Sequence, residues 1–251
     1  MNVAKDVQLA MNVDGGTIIE GKKMNKKILV TSGGTQEYID DFRILTNISS
    51  GTLGCLTAMK LREAGAEVFY VCSKTSNQPR ICDPLMKVFG IRSVSEAMEM
   101  MKKVIIEEEI DAVVHAMAVS DFTFKKDKDI KCKSTDPEAF IEYMRQTIAV
   151  NPKIITQIKQ WRPETILVGF KFEIGLTKEE LVSLAKASIE KNGCDLVIAN
   201  DKKEMKRLNR HVAQFVYSEK MKQQLNVFDS EAYDKNDISN MILHFLQEVL
   251  K

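Results

Sequence analysis

The sequence predicts an α/β fold, a mostly parallel sheet with helices on both faces, and three observations carry that prediction. Short continuous apolar runs recur along the chain, stretches with helical spacing separate them, and the first run empties into two loops of small residues. Strands buried on both faces read as unbroken apolar runs, and parallel neighbours must be joined by crossovers, usually helices. The apolar runs fall at 28–31, 67–72, 87–91, 112–117, 166–172 and 195–199, the third being the weakest. Helical patterns fall at 53–64, 94–108, 152–161 and 178–192.

Taken in order, the polar segment 1–23 contains Gly15-Gly16 and stops at a second methionine, Met24, just before the first strand. It reads as a disordered N-terminal extension or leader, leaving 24–251 as one domain. The first strand ends in Gly33, Gly34 and Thr35, and a second loop carries Asn47, Ser49, Ser50 and Gly51 before a helix begins near Leu53. Segment 121–137, DFTFKKDKDIKCKSTDP, follows directly on a buried strand. Open α/β sheets bind ligands at the carboxyl ends of their strands, so this charged run reads as a lysine-bearing flap loop over an anionic ligand. Segment 201–210 reads as a basic loop, 211–217 and 224–228 as a C-terminal β-hairpin, and 236–250 as a closing helix. The alternation of strands and helices gives the sheet a Rossmann-like character.

Composition removes several function classes. The chain has 251 residues, and 36 Lys plus Arg nearly balance 35 Asp plus Glu. No global field therefore recruits nucleic acid or an acidic membrane surface, and any anion binding is local. The apolar runs are too short to span a bilayer. Five cysteines, Cys55, Cys72, Cys82, Cys132 and Cys194, are scattered with no CxxC pair. They read as free thiols of a cytoplasmic protein. His115, His211 and His244 lie far apart and read as structural, so no protein metal site is expected.

The opening loops hold the chemistry. Glycines admit a ligand close to the backbone, and a helix start offers unpaired N–H groups and a positive dipole end. Together they suit phosphate or another anion. The turn S32-G-G-T-Q-E lacks the G-x-G-x-x-G spacing of dinucleotide enzymes, and the second strand runs into Ser73 and Lys74 rather than a ribose-gripping acid. Tyr38, Tyr70, Tyr143, Tyr217 and Tyr233 have no lysine four residues on, which speaks against a short-chain reductase. A nicotinamide-dependent reductase and a non-catalytic nucleotide-binding protein are the competing classes.

Seven segments in order bear a family resemblance: G33-G-T35 with E37-Y-I-D-D-F-R43, T46-N47-I-S-S-G51-T-L-G54, A116-M-A-V-S-D-F122, I130-K131-C-K-S134, N151-P-K-I154, V168-G-F-K-F-E173 and K191-N-G-C-D-L-V-I-A-N-D201. On these the chain resembles the phosphopantothenate–cysteine ligase family of coenzyme A biosynthesis, in its monofunctional form. The resemblance implies a ligase that joins 4'-phosphopantothenate to L-cysteine through an acyl-nucleotide driven by CTP or ATP with Mg²⁺, and a homodimer. It implies catalytic roles for Asn47, Arg43 and Lys131, with Lys133 assisting. It further implies ligand contacts from Gly33, Gly34, Thr35, Ser49, Ser50, Gly51, Ala116, Met117, Ala118, Asp121, Phe170, Lys191, Asn200 and Asp201. Arg43 and Asn47 would face the same side if their segment is helical. In some relatives a second basic residue stands four before Lys191; here that position is Ala187, beside Lys186.

Overall fold

The computed structural model describes residues 23–79, 83–125, 131–133 and 135–251. The expected N-terminal extension, the middle of the flap and Cys82 lie outside these residues, apart from Lys23.

Six parallel strands form the heart of the sheet: β1 (Lys27–Ser32), β4 (Glu67–Ser73), β5 (Met86–Ile91), β6 (Ala112–His115), β9 (Ile166–Glu173) and β10 (Leu196–Asp201). Two antiparallel strands extend one edge, β11 (Ala213–Tyr217) and β12 (Ser230–Ala232). The order across the sheet is β12-β11-β10-β9-β6-β1-β4-β5. Numbered within the parallel set, this is 3-2-1-4-5-6, the doubly wound arrangement in which the direction of winding reverses between β1 and β6. Two short ribbons stand outside the main sheet, β2 (Gln36–Tyr38) with β3 (Ile44–Thr46) and β7 (Phe122–Phe124) with β8 (Ile148–Val150).

Alternation along each strand sends side chains to two cores. Ile28, Val30, Val68, Tyr70, Ala112 and Val114 meet Ala58 and Leu61 of helix α1 (Thr52–Glu63) and Ile242 and Phe245 of helix α8 (Lys235–Val249). Leu29, Phe69, Val71 and Val113 meet Met101 and Ile105 of helix α2 (Val94–Glu107), Ile158 of α4 (Ile155–Trp161) and Leu181 of α5 (Lys178–Asn192). Fully burying an aliphatic or aromatic side chain is worth about 1.5–3 kcal/mol, so these two layers hold the sheet flat against its helices. The helices stop and start where chemistry dictates. Thr177 and Glu180 form a reciprocal capping box for α5, whose end is Gly193 at φ 68°.

Four expectations need correction. Residues 224–228 are not a strand: Ser218 caps a helix, α7 (Glu219–Leu225), and the partner of β11 is β12. Met221 and Leu225 recur at i, i+4, which is helical rather than alternating spacing. Residues 202–208 form helix α6 (Lys202–Leu208), not a loop, because the Asp201 side chain accepts from Glu204 N–H and caps it. The post-flap segment 144–150, which reads as a strand in the sequence, is one only from 148: the residues before it end helix α3 (Pro137–Thr147), capped by Asp136 with Pro137 at its first position. The segment from Arg43 to Asn47 is extended, not helical. Four residues of strand span about 13 Å, so Arg43 and Asn47 do not act as neighbours.

Candidate functional site

The site lies where β1 and β6 part. Chain leaving β1 turns at Gly33, φ +81°, and a Cβ there would fall 2.5 Å from Ser76 Cβ. A Cβ at Gly34 would fall 2.3 Å from the Asn47 carbonyl oxygen. Both glycines are therefore required for three loops to pack on one another. Gly51, φ +73°, starts α1 with no side-chain cap, and its carbonyl accepts from Ser32 Oγ at 2.9 Å. At the first turn of α1, Thr52 N–H reaches Ser50 Oγ at 3.5 Å.

Asn47 braces this arrangement. Its Nδ2 donates to the Val119 carbonyl at 2.9 Å and approaches that of Ala118 at 3.5 Å. The strand-like bridge between Gly34 and Ala118 runs beside it: Ala118 N–H donates to Gly33 at 2.8 Å, and Thr35 N–H donates to Ala118 at 3.3 Å. Thr35 Oγ1 accepts from Ser120 N–H at 2.8 Å. The structure thus brings together Gly33, Gly34, Thr35, Asn47, Gly51 and Ala118 of the sequence candidates. Ser49 is half-buried and Ser50 exposed on the same loop, where Ser50 Oγ pairs with Thr52 Oγ1 at 2.9 Å.

A third loop was missed by sequence reasoning. After β4, Asn77 N–H donates to the Ser50 carbonyl and Asn77 Nδ2 donates to Thr52 Oγ1, both at 2.9 Å. Ser76 packs on Gly33 and Gly51, and Tyr70 Oη donates to the Asn77 carbonyl at 2.9 Å. The small polar run S73-K-T-S-N77 directly after an apolar strand was the available signal. A dinucleotide enzyme would carry its acid there.

The turn 39–43 receives the far end of the flap. Asp40 is fully buried and pairs with Arg43 Nη1, while Cys132 N–H donates to Asp40 Oδ2 at 3.2 Å and Arg43 Nη1 donates to the Cys132 carbonyl at 3.2 Å. Lys131 Nζ lies 4.6 Å from the centre of the Phe42 ring. The Arg43 guanidinium also stacks over the Phe140 ring, 5.2 Å from its centre.

The remaining candidates are more dispersed. Met117 is buried below the Ala118 bridge, its N–H donating to Thr31 Oγ1 at 3.3 Å, and Ala116 is half-buried beside it. Asp121 is exposed and paired with Lys153. Phe170 is half-buried and packs on the α1–α8 core. Asn200 and Asp201 sit in β10, not a turn. Asn200 Nδ2 donates to the Val212 carbonyl at 2.6 Å, and Asp201 Oδ2 accepts from Leu176 N–H at 3.0 Å. Asp201 also borders a cavity of about 250 Å³ with Leu181, Leu208, Glu231 and Tyr233, whose Glu231 is already paired with Lys178. Lys191 occupies the last turn of α5, where the chain enters the amino end of β10, at the opposite edge of the sheet from the cradle.

Burial disfavours the charged forms of His115, Cys72 and Cys194. His115 Nδ1 lies 2.9 Å from Thr31 Oγ1, and burial pushes its pKa down to about 4. Burial raises the thiols of Cys72 to about 11 and Cys194 to about 12, which suppresses the nucleophilic thiolate. Cys55, Cys72, Cys132 and Cys194 are free. Among the described residues no three His, Cys, Asp or Glu side chains group as metal ligands, and no helix is long and apolar enough to cross a membrane.

A glycine-lined cradle at the winding reversal of a 3-2-1-4-5-6 sheet places the chain among Rossmann-like α/β domains. The chain belongs to the family described as the DNA/pantothenate metabolism flavoprotein C-terminal domain, which matches residues 23–250. The resemblance read from the motifs is borne out at that level. The chain is 41% identical over 175 residues to the coenzyme A biosynthesis bifunctional protein CoaBC of Thermococcus kodakarensis, covering 70% of this chain and 41% of that protein. Against the protein of the same name from Methanocaldococcus jannaschii the figures are 28% over 183 residues, with 72% and 41% covered. The chain therefore spans about two fifths of the length of these curated relatives. The crystal structure of the DNA/pantothenate metabolism flavoprotein from Streptococcus pneumoniae superposes with a TM-score of 0.72 at 30% identity, covering 88% of this chain and 98% of that one. The fold is shared with a Cab2 mutant solved in complex with phosphopantothenate-cysteine, TM-score 0.64 at 16% identity, covering 90% and 88%.

Proposed function

We propose that this chain is a phosphopantothenate–cysteine ligase acting in coenzyme A biosynthesis in the cytoplasm. The observation that carries the reading is the Asn47 brace: one amide joins the loop before α1 to the Ala118–Val119 carbonyls across a glycine-only cradle. Family membership and the names of the relatives support the same reading.

In the proposed reaction the carboxylate of 4'-phosphopantothenate attacks the α-phosphorus of CTP or ATP. The bond to the bridging oxygen breaks and pyrophosphate leaves. The amine of L-cysteine then attacks the acyl carbon, loses a proton, and displaces the nucleoside monophosphate. The cradle at the start of α1 suits the triphosphate, and the Arg43 guanidinium with the Lys131 charge suits the anionic substrates. Mg²⁺ would travel with the triphosphate, which asks for few dedicated protein ligands. In this reading the Asn47 amide exchanges its long contact with the Ala118 carbonyl, 3.5 Å, for the oxyanion formed during amine attack, and keeps its bond to Val119.

We also propose a homodimer. Phe122, Phe124, Ile148 and Val150 occupy one face of the β7–β8 ribbon, where Val150 is 74% exposed, while Thr123 on the other face donates to Glu37 at 2.7 Å. An apolar ribbon face of this kind suits pairing with a second copy.

The test is pyrophosphate release by the purified chain with phosphopantothenate and cysteine, across CTP, ATP, GTP and UTP. Release dependent on both substrates is expected with CTP or ATP. Silence with all four nucleotides overturns the reading.

A further inference from the structure

We propose that Asp40 is a positioning residue of this reaction, which clamps the backbone of Cys132 and the guanidinium of Arg43 together and thereby sets the place of the flap lysine, Lys131. The proposal rests on the ligase reading above. Asp40 has 0% side-chain exposure, and its two oxygens accept from four groups. Oδ1 takes Phe42 N–H at 2.9 Å and Arg43 N–H at 2.7 Å; Oδ2 takes Arg43 Nη1 and the Cys132 N–H. Arg43 Nη1 closes the ring by donating to the Cys132 carbonyl at 3.2 Å. Both backbone groups of Cys132 are thus held by side chains 92 and 89 residues away in sequence.

The contact reads backbone, not side chain, so it fixes where this part of the flap lies rather than which residue occupies it. Its neighbours anchor the same turn. Arg43 stacks over the Phe140 ring at 5.2 Å, Tyr143 Oη donates to the Ile39 carbonyl at 2.8 Å, and Lys131 Nζ rides on Phe42. Burial alone would raise the Asp40 pKa, yet the N–H donors of Phe42, Cys132 and Arg43, with the Arg43 charge, hold it below the usual carboxylate value. The carboxylate is therefore the charged form at neutral pH, as the clamp requires. Misplacing a reacting group by about 1 Å can lower a rate about 10²-fold, which sets the scale of the expected effect.

The experiment compares wild type, Asp40→Asn, Cys132→Pro and the double variant. Steady-state kinetics are measured together with amide exchange of the peptide carrying residues 131–133. Asn at 40 keeps the size but turns an amide N–H₂ toward donors; Pro at 132 removes the clamped N–H while leaving Asp40 intact. The expected result is faster exchange at Cys132 in Asp40→Asn and a fall in kcat of about 10- to 100-fold in each single variant. The nucleotide KM should change much less, and the double variant should be no slower than the worse single. Unchanged exchange in Asp40→Asn, unchanged kcat in Cys132→Pro, or losses that multiply in the double variant overturn the proposal. Wild-type pyrophosphate release reports on the ligase reading separately, and the exchange measurement reports on the clamp without turnover. If Asp40→Asn does not fold, Cys132→Pro alone decides.

Discussion

Asn47 illustrates how one side chain serves two demands. Its amide hydrogens point at the Val119 and Ala118 carbonyls, which holds the second loop against the chain leaving β6. It is not a helix cap; Gly51 starts the helix without side-chain help. Replacing Asn47 with Asp would turn a carboxylate oxygen toward carbonyl oxygens and remove the donor. Asn47→Asp is expected to bind nucleotide and accumulate the acyl-nucleotide in rapid-quench assays, with amide formation slowed about 10²- to 10³-fold. An unchanged yield of amide product would refute the assigned role. Other residues were less legible. Arg43 resembled an anion-binding fork, but the sequence did not reveal that Asp40, three residues earlier, is buried beneath it and shared with Cys132. Burial depends on chain far away in sequence, which residue identity does not encode.

At the scale of elements, the parallel strands were readable because burial on both faces leaves continuous apolar runs, and the crossover helices because an apolar stripe recurs every three to four residues. The misread elements are short or small. β2, β3, β7 and β8 have three residues each, too few for periodicity to register. Helices α6 and α7 have seven residues each and start with side-chain caps, Asp201 and Ser218, that also read as turn residues. The loops of the cradle are elements in their own right, held by backbone contact. Gly34→Ala places a methyl 2.3 Å from the Asn47 carbonyl, a contact that cannot be relieved by side-chain rotation. The substitution is expected to lower stability by about 1–3 kcal/mol, as overpacking does, and to abolish ligase turnover. Urea melts and turnover assays check this; a fully active, equally stable variant would show that the loops are not in contact during function.

For the whole molecule, sheet order matters more than any single element, because it puts residues 33–35, 47–51, 73–77 and 116–120 around one crevice. It also separates candidates that the motifs had grouped. Lys191 ends at the amino edge of the sheet, and Asn200 and Asp201 are occupied in holding Val212 and Leu176. The β7–β8 ribbon projects an apolar face on which the proposed dimer depends. Val150→Asp puts a charge at its most exposed position and is expected to shift sedimentation from dimer to monomer. A variant that remains dimeric would exclude this face as the interface.

The sequence by itself determined the α/β class, the two buried layers, the positions of the glycines and the family, because hydrophobic period, turn chemistry and motif order are local properties of a chain. Only the tertiary structure decided which polar groups meet: Asn47 with Val119, Asn77 with Ser50, and Asp40 with Arg43 and Cys132. Those pairings depend on how the winding of the sheet brings distant loops to one edge. A hydrogen bond forms only where donor and acceptor arrive within about 3 Å, and no local pattern specifies that arrival.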